Sequence, residues 1–112
     1  MFVALPIDRR YPALDSGRVD AIAAFTTESQ LMQKRKYFVL SDPQGIFGFQ
    51  NIVPVVSQKV LREEGPAFRR SLNAVSAKLT NGALQRMNGA VDLRGQKPAD
   101  VARRFLRQNG LL

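Results

Sequence analysis

The 112-residue sequence contains no cysteine and no histidine. The first absence removes disulfides, thiolate metal sites and cysteine catalysis, and it is compatible with any compartment. The second removes serine–histidine hydrolysis, histidine general-base chemistry and nearly all zinc or non-haem iron catalysis. Acidic residues are few, and Asp15, Asp20, Glu28, Asp42, Asp92 and Asp100 have no spacing that suits a metal or an acid–base pair. Gly45 and Gly48 lie in a Pro/Gly turn, so no glycine loop between strand and helix is present to cradle a phosphate. No apolar run approaches the ~20 residues of a membrane span. The opening "MFVALPIDRR" has no cationic region ahead of a long apolar stretch and does not read as a signal peptide. The expectation is a protein that is not an enzyme, with no catalytic residues, no metal and no cofactor.

What is present is an ordinary globular composition, 45% apolar and 23% charged, in a length that supports one modest core. The charge is strongly basic, 17 Lys and Arg against 9 Asp and Glu, formally +8. Only "QKRKY" (33–37) holds three consecutive basic residues, and Arg9–Arg10, Arg69–Arg70 and Arg103–Arg104 are scattered pairs. No aromatic RNA-binding signature or zinc-finger spacing accompanies them. They read as solvated helix faces, so no nucleic-acid partner is expected. A small basic nucleic-acid-binding protein is the alternative reading, and it predicts binding that collapses as salt rises.

The chain divides near residue 57. In front, residues 8–17 suit a brief helix closing on Gly17. Residues 18–26 and 37–42 suit short strands, and residues 28–36 suit a helix capped by Thr27. Residues 46–56, "IFGFQNIVPVV", read as an extended crossing segment, since Gly48 and Pro54 argue against a central strand. Behind, Ser57, Thr80 and Pro98 open helices over 58–64 and 66–79, 81–91, and the stretch from 98 to Gly110. Phe68, Leu72, Val75 and Leu79 fall on one face, as do Leu84, Met87 and Val91, and then Val101, Ala102, Phe105 and Leu106. The class is α/β, short strands followed by a helical half.

Two segments pair aromatic rings with hydrogen-bonding groups, "FTTE" (25–28) and "FGFQN" (47–51). Converging, they would offer the ring faces of Phe25, Phe47 and Phe49. They would also offer the hydroxyls of Thr26 and Thr27, the Glu28 carboxylate and the amides of Gln50 and Asn51. Ring faces attract a quaternary ammonium by about 0.5–2 kcal/mol per contact. Hydroxyls and amides suit the other end of a small zwitterion. The plainer reading makes the phenylalanines core and the polar residues caps.

Three segments in order carry a resemblance. "YPALDSGRVDAIAAFTTE" looks like a "Y-x-A-L-x-S-G-x-V-D-…-Y-T-T-D" stretch. "LSDPQGIFGFQNIVPVV" is similar to a segment with a Phe-Pro-Pro-Tyr-like run and a Pro-Val. "LNAVSAKLTNGALQRMNGAVDLRGQKPADVARRFLRQNGLL" resembles closing helices with "L-N-x-x-V-D" and "V-A-x-x-F-L-…-G-L-L". Together they resemble the carboxyl-terminal part of substrate-binding proteins of ABC transporters for glycine betaine, choline and related osmoprotectants. The resemblance implies a type II periplasmic-binding fold, two α/β lobes closing on a solute. Residues up to about 45 would belong to one lobe, 46–56 would cross over, and the helices of 57–112 would pack on the other lobe. It implies capture of a small quaternary-ammonium or zwitterionic solute for a transporter permease, outside the cytoplasm.

The resemblance also places Phe25 where the family has a cage tyrosine, Thr26 and Thr27 on its paired threonines, and Glu28 on an aspartate. Gln50 stands where the family's run has a tyrosine, so a ring is lost there, with Phe47 or Phe49 as substitutes. A chain resembling only the second part of such a protein is expected to leave apolar faces uncovered and to self-associate as a homodimer or exchanged oligomer. A fragment that binds nothing is the remaining alternative.

Overall fold

Proline, a short 3-10 turn (Ile7–Arg9) and helix α1 (Arg10–Asp15) open the chain in the computed structural model, which describes residues 2–48 and 52–112. The Pro6 carbonyl accepts the Arg9 N–H at 3.0 Å, which starts the turn. Helix α1 stops at Gly17, whose φ of 70° lets its N–H reach the Leu14 carbonyl at 3.1 Å. This is the brief helix and glycine stop expected over 8–17.

The expected strands do not form. Among the described residues there is no strand, and residues 21–25 and 37–42 run without helix, turn or bend. A strand exists through its ladder, and neither stretch finds a partner, so β-branched and aromatic content alone does not create one. The expected helix over 28–36 shortens to a 3-10 turn (Ser29–Met32), whose cap position is Glu28, with no side-chain cap bond from Thr27. So short a segment lacks the packed face that most helices need.

Behind Ser57 the chain is helical as expected. Helix α2 (Gln58–Ser76) starts with the Ser57 hydroxyl accepting the Val60 N–H at 3.2 Å. It breaks at Gly65, where φ is 72° and ψ is −170°, ahead of Pro66. Helix α3 (Asn81–Asp92) is capped by Thr80, whose hydroxyl accepts the Ala83 N–H at 3.2 Å. Helix α4 (Pro98–Gln108) has proline in its first turn, and past its end the Leu111 N–H returns to the Leu106 carbonyl at 2.9 Å.

Helix α3 is the hub, packing against the Ser29–Met32 turn on one side and α4 on the other. Its close approach uses Gly89, where a Cβ would lie 2.5 Å from the Met32 sulfur. Among the described residues the buried set is small in number and in side chain: Ala13, Ser29, Ala83, Gly89, Ala90 and Val101. Val101 is the buried member of its expected stripe, while Phe105 and Leu106 are half-buried and Ala102 is exposed. Helix α2 buries none of its residues. The radius of gyration is 17.6 Å, against about 13 Å for a compact chain of this length.

Candidate functional site

Residues 25–28 form a turn closed by the Glu28 N–H on the Phe25 carbonyl at 3.0 Å. Glu28 then folds back on helix α1. Its Oε1 accepts from Arg10 Nη2 at 2.7 Å and from the Phe25 N–H at 3.2 Å. Its Oε2 accepts from the Tyr11 hydroxyl at 2.6 Å. The Arg10 and Glu28 side chains are 15% and 16% exposed, so this ion pair is well shielded. Arg10 also donates to the carbonyls of Ala23 and Ile7, tying the preceding stretch to α1.

The electrostatics follow from this packing. Desolvation pushes the Glu28 carboxyl upward, but hydrogen bonds from Tyr11, the Phe25 N–H and Arg10 outweigh it and hold the group below its ordinary value. Burial, joined by the hydrogen bond to Glu28, pushes the Tyr11 hydroxyl well up, so it stays a donor. Tyr11 meets the Tyr37 ring edge-on, with centroids 5.2 Å apart. Tyr37 and Lys36 both donate to Asp15, at 2.8 and 2.7 Å, and those two bonds draw the Asp15 carboxyl down.

On the other side, helix α3 grips the turn by its backbone. Gln85 Nε2 donates to the Thr26 carbonyl at 2.5 Å, and Asn88 Nδ2 to the Thr27 carbonyl at 2.8 Å. Asp92 Oδ2 accepts from the Ser29 hydroxyl at 2.9 Å. Positions 85, 88 and 92 lie on one face of the helix, three and four residues apart. The two threonine carbonyls therefore point at α3, and their peptide planes are fixed.

The structure thus brings Phe25, Thr26, Thr27 and Glu28 into one braced turn. Phe25 is 49% exposed, with the Arg10 guanidinium 6.0 Å from its ring centroid. Thr26 is exposed and Thr27 half-buried. Phe47 sits in a separate turn, its N–H held by Asp42 at 2.9 Å and its ring 73% exposed. Phe49, Gln50 and Asn51 lie outside the described residues. Two open hollows, about 250 Å³ at the α2 kink and about 430 Å³ between α2 and the chain end at Leu111 and Leu112, include none of the expected site residues.

Arg10, Tyr11, Gln85, Asn88 and Asp92 were not among the expected site residues. The spacing of the last three on α3 carried a readable polar stripe, while Arg10 and Tyr11 sit 18 and 17 residues before Glu28 with no local sign of the contact. No group of three or more acidic residues able to hold a metal is found among the described residues.

The substrate-binding domain of ABC-type glycine betaine transport systems matches residues 3–108. The chain belongs to this family. A glycine-betaine-binding protein of Pseudomonas aeruginosa is 33% identical over 102 residues, 91% of this chain and 32% of that one. The glycine betaine-binding protein YehZ of Escherichia coli is 38% identical over 71 residues, 63% of this chain and 23% of that one. The ergothioneine transport permease/ergothioneine binding protein EgtU of Helicobacter pylori is 26% identical over 107 residues, 96% of this chain and 19% of that one. The chain therefore spans a third or less of the length of these curated relatives. No solved structure matches it comparably. Membership makes the chain part of a type II periplasmic-binding domain, a family of transporter binding proteins and not an enzyme class.

Proposed function

We propose that this chain supplies part of the solute cleft of an ABC importer for quaternary-ammonium osmoprotectants such as glycine betaine, choline or carnitine, acting without catalysis. Its partners would be the solute and a transporter permease, and its place would be outside the cytoplasm. The observation that carries the reading is the family match across residues 3–108, which includes the whole 25–28 turn. Residues up to about 45 are assigned to one lobe, 46–56 to the crossover and 57–112 to helices on the other lobe.

Within this reading Phe25 presents a ring face to the cationic end of the solute, and Thr26 and Thr27 present hydroxyls to its polar end. Glu28 acts as a positioning residue, because both of its oxygens are already engaged by Arg10, Tyr11 and the Phe25 N–H. Phe47, Phe49, Gln50 and Asn51 are proposed as the second arm of the site. An ergothioneine-like solute is a second reading, favoured by the name of the Helicobacter pylori relative. Ergothioneine shares the trimethylammonium group and differs at the other end. The chain is also read as self-associating, a homodimer or exchanged oligomer. Its accessible surface of 9225 Å² exceeds the about 6,200 Å² of a compact monomer of its mass.

Isothermal titration with glycine betaine, choline, carnitine and ergothioneine tests the reading. Saturable binding of one solute is expected, weakened about twofold to thirtyfold in Phe25→Ala by loss of one ring contact. Absence of heat from all four solutes would overturn the proposal that this chain binds. Retained affinity in Phe25→Ala would remove the ring from the site.

A further inference from the structure

In the turn of residues 25–28 the Thr26–Thr27 peptide is the central one, and the central peptide is the part of a turn that can flip. The flipped form needs a positive φ at the third residue, here Thr27. No described non-glycine residue has one, and a β-branched side chain makes one costly. The peptide is therefore unflipped, and helix α3 holds it so. Gln85 Nε2 donates to the Thr26 carbonyl at 2.5 Å, and Asn88 Nδ2 to the Thr27 carbonyl at 2.8 Å. The same helix face continues the contact. The Ser29 hydroxyl donates to Asp92 Oδ2 at 2.9 Å, and Gly89 approaches so closely that a Cβ would lie 2.5 Å from the Met32 sulfur. Positions 85, 88, 89 and 92 all meet this one segment, so the amides belong to a built seat.

A trans peptide points its C=O and its N–H in opposite directions. With the Thr26 carbonyl held on α3, the Thr27 N–H points away from that helix. That side of the turn therefore presents an N–H where a flipped peptide would present a carbonyl. The difference decides what the turn can recognise. A carboxylate only accepts hydrogen bonds, whereas a hydroxyl both donates and accepts. An N–H bonds a carboxylate roughly twice as strongly as a neutral oxygen, and a carbonyl in its place would repel the carboxylate while still accepting a hydroxyl. The nearest negative charge does not oppose an anion, because Glu28 is compensated by Arg10 at 2.7 Å and held by the Tyr11 hydroxyl at 2.6 Å. We propose that Gln85, supported by Asn88, is a positioning residue that selects a carboxylate-bearing solute over choline, by aiming the Thr27 N–H at the solute's anionic end. This rests on the reading of residues 25–28 as part of the solute cleft and names what sets its selectivity.

Titration of the isotope-labelled 112-residue chain with glycine betaine and with choline, followed amide by amide in NMR spectra, tests this. The two solutes share a trimethylammonium group and differ at the other end, so their comparison isolates the anionic end. Glycine betaine should move the Thr27 amide proton downfield, and choline should move it less. Gln85→Met keeps the length and removes the donor. It should weaken glycine betaine about tenfold, the worth of one bond to a charged group, and leave choline within about twofold. Gln85→Glu sets a carboxylate against the Thr26 carbonyl and should lose at least as much. The wild-type Thr27 signal decides the matter even if a variant fails to fold. Equal weakening of both solutes would mean that α3 only braces the fold, and unchanged glycine betaine affinity in both variants would remove Gln85 from selectivity. Movement of other amides with Thr27 silent would place the anionic end elsewhere. Each of these three results overturns this proposal and leaves the functional reading standing. If neither solute moves any amide, the functional reading falls and this inference falls with it.

Discussion

Glu28 shows how one residue can be legible in type and illegible in role. Its place beside Thr26 and Thr27 marks a polar strand end in the sequence, and the structure spends its charge on Arg10 and Tyr11, far back in the chain. Folding holds its carboxyl below the ordinary 4.5, so the stability it contributes is in place above that value and lost as the pH falls through the lower folded value. Asp15, also held low by Lys36 and Tyr37, works in the same direction, but it is open to solvent and screened. Glu28→Gln keeps the shape and removes the charge. It should lower stability at neutral pH by about 1–3 kcal/mol, the cost of weakening charge-assisted bonds to shielded partners. It should also flatten the decline of stability below pH 4.5. Urea unfolding of wild type and variant at neutral and acid pH measures both effects, and parallel acid limbs would assign the pH dependence elsewhere.

At the scale of elements, the helices behind residue 57 were readable, whereas the strands and the helix expected over 28–36 did not form. Ser57, Thr80 and Pro98 are local start signals, and Gly17 and Gly65 are local stops, so each boundary is written beside the residues it bounds. A strand is written partly in its partner. Residues 18–26 and 37–42 have strand composition and no ladder, which no local pattern reveals. The kink in α2 is equally local: Gly65 alone adopts a left-handed φ there, and Gly65→Ala should cost about 1–2 kcal/mol. That loss would appear as reduced helical signal and a lower urea midpoint, whereas an unchanged midpoint would mean that the two halves of α2 straighten freely. The grip of α3 on the threonine turn was not read from the sequence, where the expected helix ended at 91, one residue short of Asp92. Asn88→Ala should cost about 0.5–1.5 kcal/mol and speed amide exchange at residues 27–29 more than elsewhere. Uniform exchange across the chain would deny α3 its hold on that turn.

For the whole molecule the decisive balance is between uncovered apolar surface and like charge. Helix α2 buries nothing, Phe38, Leu40, Ile46, Phe47 and Val55 face water, and the chain carries +8. The apolar surface favours association and the charge opposes it, so salt decides the strength. Screening shortens the reach of repulsion from about 30 Å at 0.01 M to about 8 Å at 0.15 M, while leaving apolar burial in place. If copies cover one another, the melting temperature should rise by about 3–5 °C for each tenfold increase in protein concentration. The rise should be larger at the higher ionic strength. A basic nucleic-acid binder behaves oppositely, since its complex weakens steeply as salt is added. Thermal melts across two decades of concentration and both salt levels separate these cases. A melting temperature independent of concentration would mean that the surface stays uncovered.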